Sequence, residues 1–365
     1  SDPVEGAGAK SQIENTRLDA NERPLDNVTE QDDLMSDLRS LVESNADRSV
    51  IDSHPVLVQA LDELNDRASR ATNLLDNYGT PEWHASRQYE FDGQTVTGTD
   101  AALPLWVRDA EAFAGGEVRR DRTLTLVLGP PAAGKSTIAE ELAAAKGAAI
   151  LDSDEIKKTL PEFEGGIGAS RVHEESSDLG DRVEAVLRGS GTNVVFPKVG
   201  GSPASIRRAI NRFKADGYSV ELVNMAVTTE NAYRRMVGRF VNTGRIIPPD
   251  YVDAVGESPS STYRTLKKEG SADGYAEIDN NGGRDEPKPI TDRAGERNPL
   301  VGSSFDIPEG REQAIQPAPR RGKAAPTEVF AEVTETDGPG MFDGIDAGTE
   351  RTLDLGAADA DLGDM

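Results

Sequence analysis

Residues Gly129-Pro-Pro-Ala-Ala-Gly-Lys-Ser136 have the spacing G-x-x-x-x-G-K-S. Glycines at 129 and 134 allow a turn tight enough for successive backbone N–H groups to wrap a phosphate. Lys135 offers a cation to the β- and γ-phosphates, and the Ser136 hydroxyl is a hard oxygen suited to Mg²⁺. Pro130, Ala132, Ala133 and Thr137 complete the loop and the first turn beyond it. The bland reading is a Gly-rich turn that happens to spell the pattern. An apolar strand before it (124–128) and a helical pattern after it (137–145) favour nucleotide binding.

Three further sets of residues could act on a bound phosphate. Ile150-Leu-Asp-Ser-Asp154 brings Asp152 and Asp154 to the carboxyl end of the next strand. In extended backbone, residues two apart point the same way, so one carboxylate could take a hydroxyl proton while the other serves Mg²⁺ or its waters. The competing role for Asp154 is to cap the helix that starts at residue 155. Downstream, Arg235 and Arg239 are four apart on one helical face, with Arg245 in the loop beyond. Guanidinium groups stabilise the charge of a transferring phosphoryl, although Arg-rich helices are also ordinary solvated faces. Finally, Phe196-Pro197-Lys198 stands where motor ATPases end a strand in Asp-Glu. Transfer to a bound acceptor is therefore expected over cyclic hydrolysis.

Such residues need a scaffold, and residues 123–290 supply its pattern. Apolar runs at 124–128, 148–151, 193–196 and 220–226 alternate with amphipathic helices, which predicts an α/β, P-loop kinase-like fold with a parallel sheet and helices on both faces. A last short strand at 275–281 ends in Asn280 and Asn281, which fit a turn or a loop against the nucleotide base. The predicted kinase domain is 117–290. Residues 31–116 predict a small helical region, with apolar faces at 34–42 and 56–75, a β-hairpin turning at Asp92-Gly93, and a helix over 103–114. Residues 1–30 read as a flexible acidic arm. Residues 291–365 read as an acidic, Pro/Gly-rich disordered tail or linker, in which Arg351 is the one basic residue beyond Lys323.

Composition narrows the partners. The 65 acidic against 40 basic residues give a net charge of −25 over 365 residues, which repels nucleic acid and anionic membrane over most of the surface. No cysteine is present, so disulfides and thiolate chemistry are excluded, and three scattered histidines do not build a zinc site. No apolar run reaches the ~18 residues of a membrane span, and a cytoplasmic setting is expected.

The motifs together resemble the zeta toxin family of P-loop kinases over residues 123–281. The matching pieces are 129–137, 151–163, Val172-His-Glu-Glu-Ser-Ser-Asp-Leu179, and Gly238-Arg-Phe with Thr243-Gly-Arg-Ile-Ile-Pro248. The resemblance implies ATP or GTP with Mg²⁺, and phosphoryl transfer to a hydroxyl of UDP-N-acetylglucosamine or a similar small molecule. It implies Lys135 as the phosphate lysine, Asp154 as the base, and Arg239 and Arg245 as transition-state arginines. It also implies a bacterial, phage or mobile-element protein with a protein inhibitor. One departure concerns the acceptor: where many members carry an acidic residue after the third strand, this chain has Pro197-Lys-Val-Gly-Gly201. Lys198, His173, Glu175 and Arg235 are the candidate acceptor contacts. Two other functions fit the motifs, a polynucleotide 5′-kinase and a non-catalytic nucleotide-binding module of a larger assembly. Residues 31–80 could serve as a built-in helical inhibitor.

Overall fold

The computed structural model describes residues 28–69, 78–166, 172–243, 246–283 and 288–306. The expected arm lies almost wholly outside them, as do Arg245 and the chain beyond 306. Two compact units divide the chain, residues 1–66 and 67–365.

In the first unit, α1 (Val28–Glu43) is followed by the short α2 (Arg48–Asp52) and by α3 (Pro55–Ser69). Met35, Leu38, Ile51, Leu57 and Leu64 are buried. The expected two-helix pattern holds, but its joint at 45–53 contains a helix, in which Ile51 is fully buried.

The second unit opens with α4 (Pro81–Ser86), capped by the Thr80 hydroxyl, and a hairpin of β1 (Gln88–Phe91) and β2 (Gln94–Thr97). Asp92 and Gly93 both take positive φ, 48° and 76°, the conformation that a two-residue turn matched to strand twist requires. Then come α5 (Thr99–Glu111), β3 (Thr123–Leu128), α6 (Lys135–Lys146), β4 (Ala149–Ile150), α7 (Ser153–Lys157) and α8 (His173–Ser190). The chain continues through β5 (Val194–Lys198), α9 (Pro203–Ala215), β6 (Ser219–Ala226), α10 (Thr229–Thr243), α11 (Pro249–Val255), α12 (Ser258–Lys268), β7 (Gly274–Asp279) and β8 (Ile290–Gly295).

Six strands form one sheet in the order β4-β5-β3-β6-β7-β8, parallel except for β8. All six residues of β3 are buried, as expected for a central strand covered on both faces. From β3 the chain steps to one side through β4 and β5, then crosses to β6 on the other. The carboxyl end of β3 is thus the point where strand order reverses, the place where open α/β sheets bind ligands.

Order does not fade after residue 290, contrary to the sequence expectation. β8 pairs antiparallel with β7 at the sheet edge, and Leu300 and Phe305 are buried. Arg297 Nε donates to the buried Glu221 carboxylate at 3.0 Å, and Glu221 also binds Lys146 and the Thr125 hydroxyl. An edge strand with the sequence Ile-Thr-Asp-Arg-Ala-Gly has no apolar run to reveal it. None of the described helices is long and apolar enough to cross a membrane.

Candidate active site

The phosphate loop spans the end of β3 and the start of α6. Gly129 sits so close to β6 that an added Cβ would meet the Met225 carbonyl oxygen at 3.0 Å. Gly134, at φ +82°, turns the chain into α6, and a Cβ there would meet Asn280 Nδ2 at 3.0 Å. Ala132 also has positive φ, +57°, so the loop holds an alanine in the left-handed region. Lys135 is buried and folds back over the loop, its Nζ donating to the carbonyls of Gly129 and Pro130 at 2.9 Å each. Ser136 is half-buried and Thr137 exposed in the first turn of the helix.

Asn280, in the loop after β7, braces this cradle. Its Nδ2 donates to Ala133 O at 2.8 Å. Arg235, on α10, donates to the carbonyls of Asn280 at 2.5 Å and Gly282 at 2.9 Å, and burial lowers its pKa from the ordinary value. This guanidinium grips backbone oxygens of a loop that touches the P-loop. Asn280 is a turn residue with a second task, and the distance of 147 residues to its partner hides that task from sequence. Arg239 lies one turn further along α10 and is half-buried.

Strand β4 ends at Ile150, so Asp152 and Asp154 do not share an extended strand as anticipated. Asp152 is the N-cap of α7, its Oδ1 accepting from Asp154 N at 2.9 Å. The capping role falls to Asp152, and Asp154 stands in the first turn. Asp152 faces a cleft with Trp106, Asp109, Phe113 and Glu155. Asp154 is buried, and the Lys157 ammonium lies 2.6 Å from its Oδ1 with both side chains at most 2% exposed. A lysine in Lys157-Lys158 reads as surface charge; only the three-residue spacing from Asp154 hints otherwise.

The other candidates lie on β5 and α8. Lys198 ends β5 in register with Leu128 of β3, its Nζ 4.4 Å from the centre of the Phe196 ring. His173 and Glu175 are buried in the first turn of α8. Glu175 accepts from Arg87 Nε at 2.8 Å and Nη2 at 3.0 Å, while Arg87 Nη1 donates to Glu162 at 2.8 Å. Burial raises the Glu175 pKa, and the Arg87 cation only partly offsets this. For Arg87, burial alone would lower the pKa, but its hydrogen bonds and charge interactions with Glu162 and Glu175 reverse the sign and raise it. Arg87 therefore stays charged between two carboxylates. Nothing in the sequence pairs it with residues 75 and 88 positions away.

Among the described residues no group of three His, Asp or Glu side chains forms a metal cage. That is compatible with Mg²⁺, which usually takes one or two protein oxygens and completes its shell with phosphates and water. Ser136 and Asp152 are donors of the fitting kind.

A phosphate loop at the switch point of a mostly parallel sheet, with a buried carboxylate in the first turn of the helix after the next strand, defines a P-loop phosphotransferase. Residues 114–286 match the family model of the zeta toxin. A structure from the PezAT chromosomal toxin–antitoxin system of Streptococcus pneumoniae is 15% identical, covering 53% of this chain and 80% of its own, with a TM-score of 0.43. The complex AvrRxo1-ORF1:-ORF2 with ATP is 25% identical, covering 54% of this chain and 66% of its own, with a TM-score of 0.41. No curated protein matches the chain.

Proposed function

We propose that this domain transfers the γ-phosphoryl group of ATP to a hydroxyl of a small molecule, a nucleotide sugar such as UDP-N-acetylglucosamine. The observation that carries the reading is the buried Asp154 carboxylate at the head of α7, on the same sheet edge as the P-loop. Asp154 accepts the acceptor proton, and Lys135 leaves the Gly129 and Pro130 carbonyls to bind the β- and γ-phosphates. Arg239 and Arg245 neutralise charge on the moving phosphoryl. Mg²⁺, when bound, would supply further neutralisation of the phosphates, and Ser136 and Asp152 would hold it. Lys198, a cation where the family carries an acid, supports an acceptor with an anionic group at that point.

The test is phosphorus NMR of ATP, Mg²⁺ and the protein with a panel of nucleotide sugars. A new phosphomonoester resonance that appears only with an acceptor, together with ADP, is the expected result. Acceptor-independent ADP release, or transfer only to oligonucleotide 5′ ends, overturns it.

On this reading the catalytic unit runs from residue 78 to 306, wider than the expected 117–290. Tyr89, Phe91, Ala102 and Trp106 are buried in it, and Trp106 Nε1 donates to the Thr159 hydroxyl at 2.9 Å. Removing residues 1–77 should leave a folded protein, whereas removing 1–116 should yield an aggregating one, as size-exclusion chromatography and thermal melts would show. Any inhibitory role for the helical region must be sought in the shorter deletion, as a rise in transfer rate.

A further inference from the structure

We infer that Lys157 is a positioning residue for the proposed base: it takes one oxygen of Asp154 and so fixes the orientation of the carboxylate that receives the acceptor proton. This rests on the kinase reading above. The two side chains meet across one turn of α7, Nζ to Oδ1 at 2.6 Å, inside the protein. The neighbouring Lys158 shows the contrast: it pairs with Glu155 at 2.9 Å but is about one-third exposed, an ordinary surface pair.

Stability alone is a poor reason for a fully buried Lys–Asp pair. Removing two charges from water costs so much that apolar residues of similar volume often do as well or better. Orientation is a better reason. The carboxylate torsion of an aspartate is broad and roughly two-fold, so an unsupported Asp154 would sample several directions. Three constraints act here in series. Asp152 caps the Asp154 backbone N–H at 2.9 Å, α7 sets the side-chain direction, and the ammonium takes Oδ1. Phosphoryl transfer goes through a loose transition state in which placing the nucleophile matters more than withdrawing its proton early. In the step itself the acceptor oxygen bonds to the γ-phosphorus as the bridge to the β-phosphate breaks. The hydroxyl proton passes to the Asp154 carboxylate, and ADP leaves.

The experiment is a double-mutant cycle on the full chain with Asp154→Asn and Lys157→Met. Turnover is measured with ATP·Mg²⁺ and UDP-N-acetylglucosamine, and also as acceptor-free ATP hydrolysis; ATP affinity is measured separately by calorimetry. Lys157→Met should lower kcat about 10²-fold, within the range for a lost acid–base contribution, with ATP affinity changed less than about twofold. In the Asp154→Asn background, Lys157→Met should lower kcat no further. This comparison survives a fall in melting temperature, because each variant is assayed below its own transition. An equal loss in both backgrounds, or full activity of Lys157→Met beside an inactive Asp154→Asn, overturns the positioning role while leaving the base in place. Full turnover by Asp154→Asn removes the base and the inference together, as does a complete lack of turnover by the unmodified protein.

Discussion

Replacing Asp154 with asparagine should lower phosphoryl transfer by about 10²- to 10⁴-fold while ATP still binds, because the amide keeps the size of the carboxylate but cannot accept the proton. The substitution is nearly isosteric, so packing around the buried side chain is retained. Its cost to stability falls on Lys157, whose ammonium 2.6 Å away would keep a carbonyl acceptor but lose a counter-charge. Calorimetric ATP affinity near that of the unmodified protein, beside a collapsed kcat, is the expected pair of results. A variant that loses ATP affinity and activity in parallel would place Asp154 in nucleotide binding instead.

Replacing Arg87 with methionine should destabilise the protein by about 3–5 kcal/mol, as expected when a buried ion pair loses one partner. Arg87 is 14% exposed and separates Glu162, 24% exposed, from Glu175, whose side chain is 6% exposed; without it the buried Glu175 carboxylate loses its counter-charge and faces a second carboxylate. Its ring contacts with Trp83 and Tyr89, at 5.6 and 5.8 Å, would be lost as well. The effect should depend on pH in a defined direction. Glu175 already has a folded-state pKa above its ordinary value, and loss of the cation raises it further. A raised carboxylate opposes folding at any pH above its folded-state pKa and ceases to do so below its unfolded one. The deficit in urea unfolding should therefore be smaller at about pH 5 than at pH 7.5. A deficit that grows on acidification would show that another group dominates.

The parts of this molecule that could be read from sequence are those encoded by neighbours in the chain. The phosphate loop, the turn at Asp92-Gly93 and the apolar runs of β3 and β6 each declare themselves within ten residues. What could not be read depends on partners far away in sequence or on polar elements. Arg87 meets Glu175 across 88 positions, and Asn280 meets Ala133 across 147. β8 is ordered by its place beside β7 rather than by hydrophobicity, so its composition imitates that of a tail. Asp152 and Asp154 do not share an extended strand for a local reason: β4 stops at Ile150, and Asp152 turns the chain into a helix.

The self-contact of Lys135 has a consequence for selectivity. An ammonium already satisfied by two loop carbonyls is a latch with a threshold, since an incoming ligand must replace two hydrogen bonds before it gains any. One phosphate has few oxygens to offer in exchange, whereas a triphosphate presents a chain of charged acceptors along the loop. Affinity should then climb steeply from mono- to di- to triphosphate. The loop would then discriminate among nucleotides by counting phosphates, before any contact reads the base.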